Sequence, residues 1–158
     1  MLFIKRSTYP LAFLALSAPA LLKASPLLQG DWNCATKFSR PEGDYRLQAV
    51  TQLLDDGKFV SNGTLYAFNS LIGAEIPLAF NASGQWQKSG SVISGQVTEG
   101  DISTGYSFLD RLADLLEDEV RKQPVYSTQI QKLNKETLVL AGTDQQAIEC
   151  VKATAQQT

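Results

Sequence analysis

The chain of 158 residues contains no histidine, and it has only two cysteines and one methionine. The lack of histidine excludes Ser-His-Asp and Cys-His catalysis, and it excludes zinc sites built on histidine ligands. It also removes the commonest general base near neutral pH. The chain has no glycine-rich phosphate-binding loop and no EF-hand pattern. We therefore expect no cofactor and no metal site.

Two acidic clusters remain as candidates for chemistry. Asp55-Asp56 precede Gly57 in a pattern typical of a hairpin turn, and residues 117–119 fall on the polar side of a helical pattern. Acidic pairs are frequent in proteins, whereas catalytic pairs held in a cleft are rare. We assign no catalytic residue, and we expect that the chain is not an enzyme.

The N-terminal segment has the three parts of a secretory signal in the required order. Lys5 and Arg6 precede an apolar stretch at residues 11–22, and small residues follow. The stretch is too short for a membrane span, which needs about 20 apolar residues. Cleavage after Ala24 competes with cleavage in Ala18-Pro19-Ala20, which fits the small-x-small rule better. We predict a signal peptide at residues 1–24 and a single exported, soluble domain at residues 25–158, periplasmic or secreted.

Loss of residues 1–24 removes three basic residues and no acidic ones, so the mature chain has a net charge of −5. A nucleic-acid-binding protein needs clustered Lys and Arg side chains, and this chain has none. No second apolar stretch is long enough to span a membrane. The partners that remain are a small ligand and a protein of the cell envelope.

The two cysteines, Cys34 and Cys150, lie near the two ends of the predicted mature chain. An even number of cysteines in an exported protein indicates a disulfide. Because a disulfide requires Cα atoms within about 7 Å, the first and last strands must be neighbours or face each other. This constraint favours a closed sheet.

The pattern of the mature chain is mainly β, with alternating apolar and polar residues at 45–53 as its clearest example. Asp55-Asp56-Gly57, Ser83-Gly84 and Ser89-Gly90 are predicted turns, and Asn62-Gly63 indicates a bulge or a further turn. Pro77 indicates an edge or bulged strand. Strand patterns recur from residue 32 to residue 98 and again from residue 126 to residue 152. The fold class is therefore an antiparallel barrel or half-barrel of seven or eight strands.

One amphipathic helix interrupts this pattern before the last strands, and Pro124 ends it. Its apolar face has two interpretations: it caps an open end of the barrel, or it forms a lid or a docking surface for a partner. The residues of this face are Phe108, Leu109, Leu112, Leu115 and Leu116.

Gly30-Asp31-Trp32 opens the first strand. A Gly-x-Trp motif at this place resembles the lipocalins and the wider calycin group, whose up-and-down barrels bind small apolar ligands. The resemblance implies that Trp32 packs across one end of the barrel and that Gly30 allows the chain to approach closely there. The chain departs from the family in lacking a Thr-Asp-Tyr motif and in placing its helix before the last strands.

Tyr45, Tyr66 and Trp86 are the predicted rim of a ligand cavity, because each combines a large apolar body with a polar tip. The leading hypothesis is an extracytoplasmic barrel that binds an apolar or amphipathic ligand. The alternative is an interaction module of the cell envelope, such as an inhibitor, a pilotin-like factor or an accessory subunit, with a filled barrel.

Overall fold

The structure, a computed structural model, describes residues 25–40, 43–69, 73–122, 125–141 and 146–153. The predicted signal peptide lies outside the described residues. The strands are β1 Gly30–Arg40, β2 Gly43–Leu53, β3 Lys58–Asn69, β4 Ala74–Ser89, β5 Val92–Thr104, β6 Val125–Leu133, β7 Thr137–Ala141 and β8 Ala147–Lys152. A 3-10 turn at Ser107–Leu109 leads into the helix α1, Asp110–Lys122, between β5 and β6.

The eight strands form a closed barrel in which each strand pairs antiparallel with the next, and β8 returns to pair with β1. The prediction of an antiparallel barrel with one helix before the last strands is confirmed. The base of the barrel, as we call it, is the end that holds the start of β1, the end of β8 and the β2–β3 hairpin. The upper end is the opposite one.

Two of the predicted turns are wrong in detail. Ser83-Gly84 is not a turn, because β4 runs without interruption from Ala74 to Ser89 and has only a shift of register at this point. Asn62-Gly63 lies inside the continuous strand β3. Glycine marks these positions because the inner face is crowded there, and not because the chain reverses.

Aromatic rings lie over these glycines on the inner face. A Cβ atom on Gly84 would overlap the carbonyl oxygen of Gln96 and lie 2.9 Å from the ring of Phe59. A Cβ on Gly63 would lie 2.8 Å from the ring of Phe80. The rings therefore occupy space that any larger residue would need. Glycine at such points also allows the bends that barrel closure requires.

The strands are steeply staggered around the barrel. A row of paired inward residues begins at Ile102 on β5 and passes through β4, β3, β2, β1, β8 and β7 to Leu133 on β6. Leu133 lies beyond Gln129, which is the partner of Val92 at the start of β5. The row that starts at Ile102 therefore returns to β5, after one circuit of the barrel, at a level beyond Val92. Such a stagger tilts the strands and widens the interior.

The wall is complete only near the base. β6 pairs with residues 92–96 of β5, and β8 pairs with residues 32–35 of β1. In the described part of the chain, the upper parts of β5 and β1 thus have a strand neighbour on one side only. The helix packs against β5, and its Val120 carbonyl accepts a hydrogen bond from the hydroxyl of Tyr126, at 3.4 Å. Since it starts above β5 and ends at the start of β6, α1 runs along the part of β5 that has no β6 neighbour.

Pro77 occupies a position that tolerates a missing donor. It pairs with Tyr66 on β3, and the β4–β5 ladder begins one residue later, at Leu78. Pro77 thus lies where β4 has no partner on its β5 side, which agrees with the preference of proline for strand edges.

Cys34 and Cys150 form the predicted disulfide, which is confirmed. The two residues are direct partners in the β1–β8 ladder, with Cα atoms 4.0 Å apart and a sequence separation of 116. The bond therefore joins the strands whose pairing closes the barrel, and Cys150 is fully buried in the core.

We expect reduction of this disulfide to lower the free energy of unfolding by about 2–5 kcal/mol, because the bond closes a loop of most of the chain. Thermal melting with and without reductant measures the effect. The double variant Cys34→Ala/Cys150→Ala is the control, and its melting is expected to be insensitive to reductant. Unchanged melting of a wild-type sample whose thiols are shown to be free would contradict the expectation.

Gly84→Ala should destabilise the fold by about 1–3 kcal/mol, because its Cβ would press on the backbone of Gln96 and on the Phe59 ring. Gly105→Ala is the matched control, since a Cβ at Gly105 would have no atom within 4 Å. The control should change stability by less than about 1 kcal/mol. Chemical denaturation of both variants tests the difference, and equal stability of the two would refute the argument.

Candidate functional site

The base of the barrel is closed by Trp32, whose side chain is 0% exposed. Its indole N–H donates to the carbonyl oxygen of Leu28 at 2.7 Å, and Leu28 is equally buried beneath it. The ammonium of Lys152 lies 4.9 Å from the Trp32 ring centroid, within the range of a cation–π contact. This end of the interior is therefore packed with side chains.

Gly30 contributes to this packing through its backbone. Its φ is +112°, in the region that favours glycine, and a Cβ there would lie 3.0 Å from Cε of Lys152. The group that packs closely against the Gly30 backbone is thus the side chain of Lys152.

The buried residues of the base form one cluster: Leu28, Trp32, Leu53, Trp86, Leu138 and Cys150. Farther up the same strands, most inward-facing side chains are only partly buried. These residues are Phe38, Tyr45, Leu47, Leu65, Phe80 and Ile102. Ile76 and Leu78 are buried exceptions on β4, next to the strand that carries the helix. The interior is thus closed at the base and accessible at the upper end.

Tyr45 lies at the rim of this upper end. Its ring stacks on that of Phe38, its cross-strand partner, with centroids 5.2 Å apart and planes at 14°. A cleft of about 390 Å³ opens beside the pair. Its lining residues are Lys37, Phe38, Ser39, Asp44, Tyr45, Arg46, Phe68, Glu75 and Gln146. The rim is therefore aromatic on its inner side and charged on its outer side.

Tyr66 does not share this position, which corrects the predicted rim. It pairs with Arg46, one residue away from the inward-facing Tyr45, and so its side chain lies on the outer face. The guanidinium of Arg46 covers its ring at 3.8 Å and forms two hydrogen bonds to Glu75, at 2.7 and 3.3 Å. This guanidinium holds the pKa of the Glu75 carboxyl below its usual value. Tyr66 belongs to a polar brace on the outside of the wall.

Trp86 is also away from the rim. It is 6% exposed and belongs to the base cluster. Its indole N–H donates to the carbonyl of Leu54 at 3.2 Å, and its backbone N–H donates to Gly57 at 2.7 Å. The polar tip of this tryptophan is thus satisfied by the β2–β3 hairpin, and the three residues of the predicted rim are not brought together.

The apolar face of the helix is divided between two environments. Phe108 and Leu115 are 75% and 57% exposed, whereas Ala113 is 4% exposed. Residues 109, 113, 116 and 120 fall on one stripe at helical spacing, and residues 108, 112 and 115 fall on the next. The first stripe is the more buried of the two, and the second faces solvent beside Tyr106, whose ring lies 5.7 Å from that of Phe108.

Sequence reasoning placed Leu47 on the apolar face of its strand, but it did not assign Ala113, Leu65 or Phe80 to the site. Ala113 is small, so the helix can lie close to β5 at this position. A small residue inside an apolar stripe is the sequence signal for such a close contact. Leu65 and Phe80 could have been found by extending the alternation of β2 to β3 and β4, because paired residues share a face.

The described residues contain no group of three or more His, Cys, Asp or Glu side chains that could hold a metal ion. None of the helical residues described forms a stretch long and apolar enough to cross a membrane. One buried hydroxyl, Oγ1 of Thr128 on β6, has no hydrogen-bond partner among the described residues.

The chain is similar to a lipocalin-like protein from Bacteroides uniformis, with 12% identity, a TM-score of 0.47, and coverage of 80% of this chain and 99% of that chain. It is also similar to an uncharacterized protein from Bacteroides eggerthii, with 12% identity, a TM-score of 0.46, and coverage of 79% and 98%. Comparison with protein families and with curated proteins gave no match. The closed antiparallel barrel expected from the strand pattern is confirmed by the strand pairing itself.

Proposed function

We propose that this chain is an exported binding protein that holds a small apolar or amphipathic molecule on the upper inner face of its barrel. The observation that carries the proposal is the contrast between the two ends. The base is closed by Trp32 and its neighbours, whereas apolar side chains such as Leu47 and Phe80 point inward and remain partly exposed. A concave apolar surface beside a few polar groups is the usual form of a small-molecule site.

Two features support export. The disulfide between Cys34 and Cys150 is stable in an oxidising compartment and rare in the cytosol. The N-terminal segment has the order of charge, apolar stretch and small residues that a secretory signal requires. In a bacterium this compartment is the periplasm. Binding, and not catalysis, is the role in keeping with a chain that has no histidine and whose cysteines are bonded to each other.

Ala67→Trp should weaken binding of N-phenyl-1-naphthylamine, a fluorescent apolar probe, by about tenfold. Ala67 faces inward between Tyr45 and Ile76, so an indole there would occupy the space of the ligand. A clash of about 1.4 kcal/mol corresponds to that factor. Val60→Trp is the matched control, because Val60 lies on the same strand and points outward. Fluorescence titration measures both variants, and equal affinities would count against an interior site.

Native mass spectrometry of the protein purified from its source provides an independent test of the same proposal. A co-purifying small molecule is the expected result. A folded wild-type sample that carries none and does not bind the probe would refute the proposed function.

The exposed stripe of Phe108, Leu112 and Leu115 favours a second function, docking of a cell-envelope protein on the helix. An apolar surface of this kind on a monomer often marks an interaction site. In this alternative the helix carries the function, and the barrel serves as its support.

The double variant Phe108→Ser/Leu115→Ser separates the two functions. If the barrel binds a ligand, we expect unchanged probe affinity and a change in the free energy of unfolding within about 0.5 kcal/mol, because both side chains face solvent. Titration and denaturation check this expectation. Loss of one defined, stoichiometric partner from the variant, with no probe binding by the wild type, would favour docking.

A further inference from the structure

The hydroxyl of Thr128 differs from the other polar groups of the inner face. Its Oγ1 is buried and has no partner among the described residues. A buried hydroxyl without a hydrogen bond is energetically disfavoured, and native structures contain few such groups. By contrast, Thr51 also faces inward, and its hydroxyl pairs with that of Ser61 at 2.9 Å. The unpaired state of Thr128 therefore calls for an explanation.

Thr128 lies at the boundary between the packed base and the accessible upper interior. Its cross-strand partner on β5 is Ile93, which packs against the base cluster, as does Ile130, the next inward residue on β6. The preceding inward residue, Tyr126, is 39% exposed and reaches the end of the helix. The Thr128 hydroxyl itself is fully buried, so a molecule bound in the upper interior would reach it only by displacing the side chains that cover it.

We propose that Thr128 determines ligand specificity by hydrogen bonding to a hydroxyl group on a neutral amphipathic ligand. The inference rests on the proposed function and names the class of ligand. A threonine hydroxyl both donates and accepts, so it matches an alcohol. Ile93 and Ile130 offer no compensation for a charge, and a buried charge without a partner is strongly disfavoured. The polar end of the ligand then lies deep in the barrel, and its apolar body lies beside Phe38 and Tyr45.

The test compares two probes of similar shape, 1-dodecanol and 1-chlorododecane, as competitors of N-phenyl-1-naphthylamine. The wild type should prefer the alcohol. Thr128→Val should reduce that preference about five- to tenfold while leaving chlorododecane affinity unchanged, in line with the loss of one hydrogen bond. Thr128→Ser keeps a hydroxyl and should keep the preference. Thr128→Ala provides a second loss-of-hydroxyl variant if the valine variant does not fold.

Stability of the ligand-free protein gives a second readout. Because the Thr128 hydroxyl is unpaired, Thr128→Val should leave the melting temperature unchanged or raise it. Thr51→Val is the matched control and should lower the melting temperature, because it leaves the hydroxyl of Ser61 without its partner. A fall in both variants would mean that the Thr128 hydroxyl is a structural group, and it would overturn the inference.

The possible failures are distinguishable. A wild type that binds the naphthylamine probe but does not prefer the alcohol refutes the role of Thr128 and leaves the proposed function intact. A wild type that binds no probe refutes both.

Lys88 is the cross-strand partner of Ile93 and the nearest inward cation in this row. The wild type could bind dodecanoate more tightly than dodecanol and lose this preference in Lys88→Met. That result would show that the ligand is an anion, and it would overturn the inference.

Discussion

The seam between β1 and β8 is the constraint on which the barrel depends. Seven of the strand pairs join neighbours in sequence, whereas this pair joins the two ends of the folded domain across residues 32–35 and 149–152. Pairing of distant strands carries a loss of chain entropy before it gains any contact. The bond from Cys34 to Cys150 sits inside this short ladder and removes much of that loss from the unfolded chain. Closure, stagger and the shape of the interior all follow from this pairing.

The strands of the closed barrel differ in length, so its two ends differ in structure. β3, β4 and β5 extend well past β6, β7 and β8, so the base has a complete wall and the upper end has a partial one. The helix runs along the part of β5 that lacks a β6 neighbour, and it presents Ala113 to the protein and Phe108 to solvent. A strand edge left open invites pairing with other chains. The helix thus has a structural reason for its position that does not depend on the proposed docking function.

The sequence predicts local pattern and covalent linkage well, and placement of single residues poorly. Strand alternation was correct because it follows from a short-range rule, and the pairing of Cys34 with Cys150 was correct because the chain has no other cysteine. Gly84 was mistaken for a turn, because a glycine in a turn and a glycine under an aromatic ring look alike in sequence. Tyr66 and Trp86 were assigned to a rim by residue type alone. One residue of register moves a side chain to the opposite face, and strand register depends on partners that are distant in the chain.

The base of the barrel buries its apolar side chains, whereas the upper end leaves apolar side chains partly exposed. The proposed ligand site requires accessible apolar surface, and each Å² left unburied loses about 25 cal/mol of stabilisation. The base offsets that loss through the fully buried Trp32, Leu138 and Cys150 and through the disulfide. Stability in proteins is distributed unevenly, and binding regions are drawn from the less stable parts. Because the packed base and the long ladders from β1 to β5 hold the barrel together, the upper end can keep Leu47 and Phe80 partly exposed without losing the barrel.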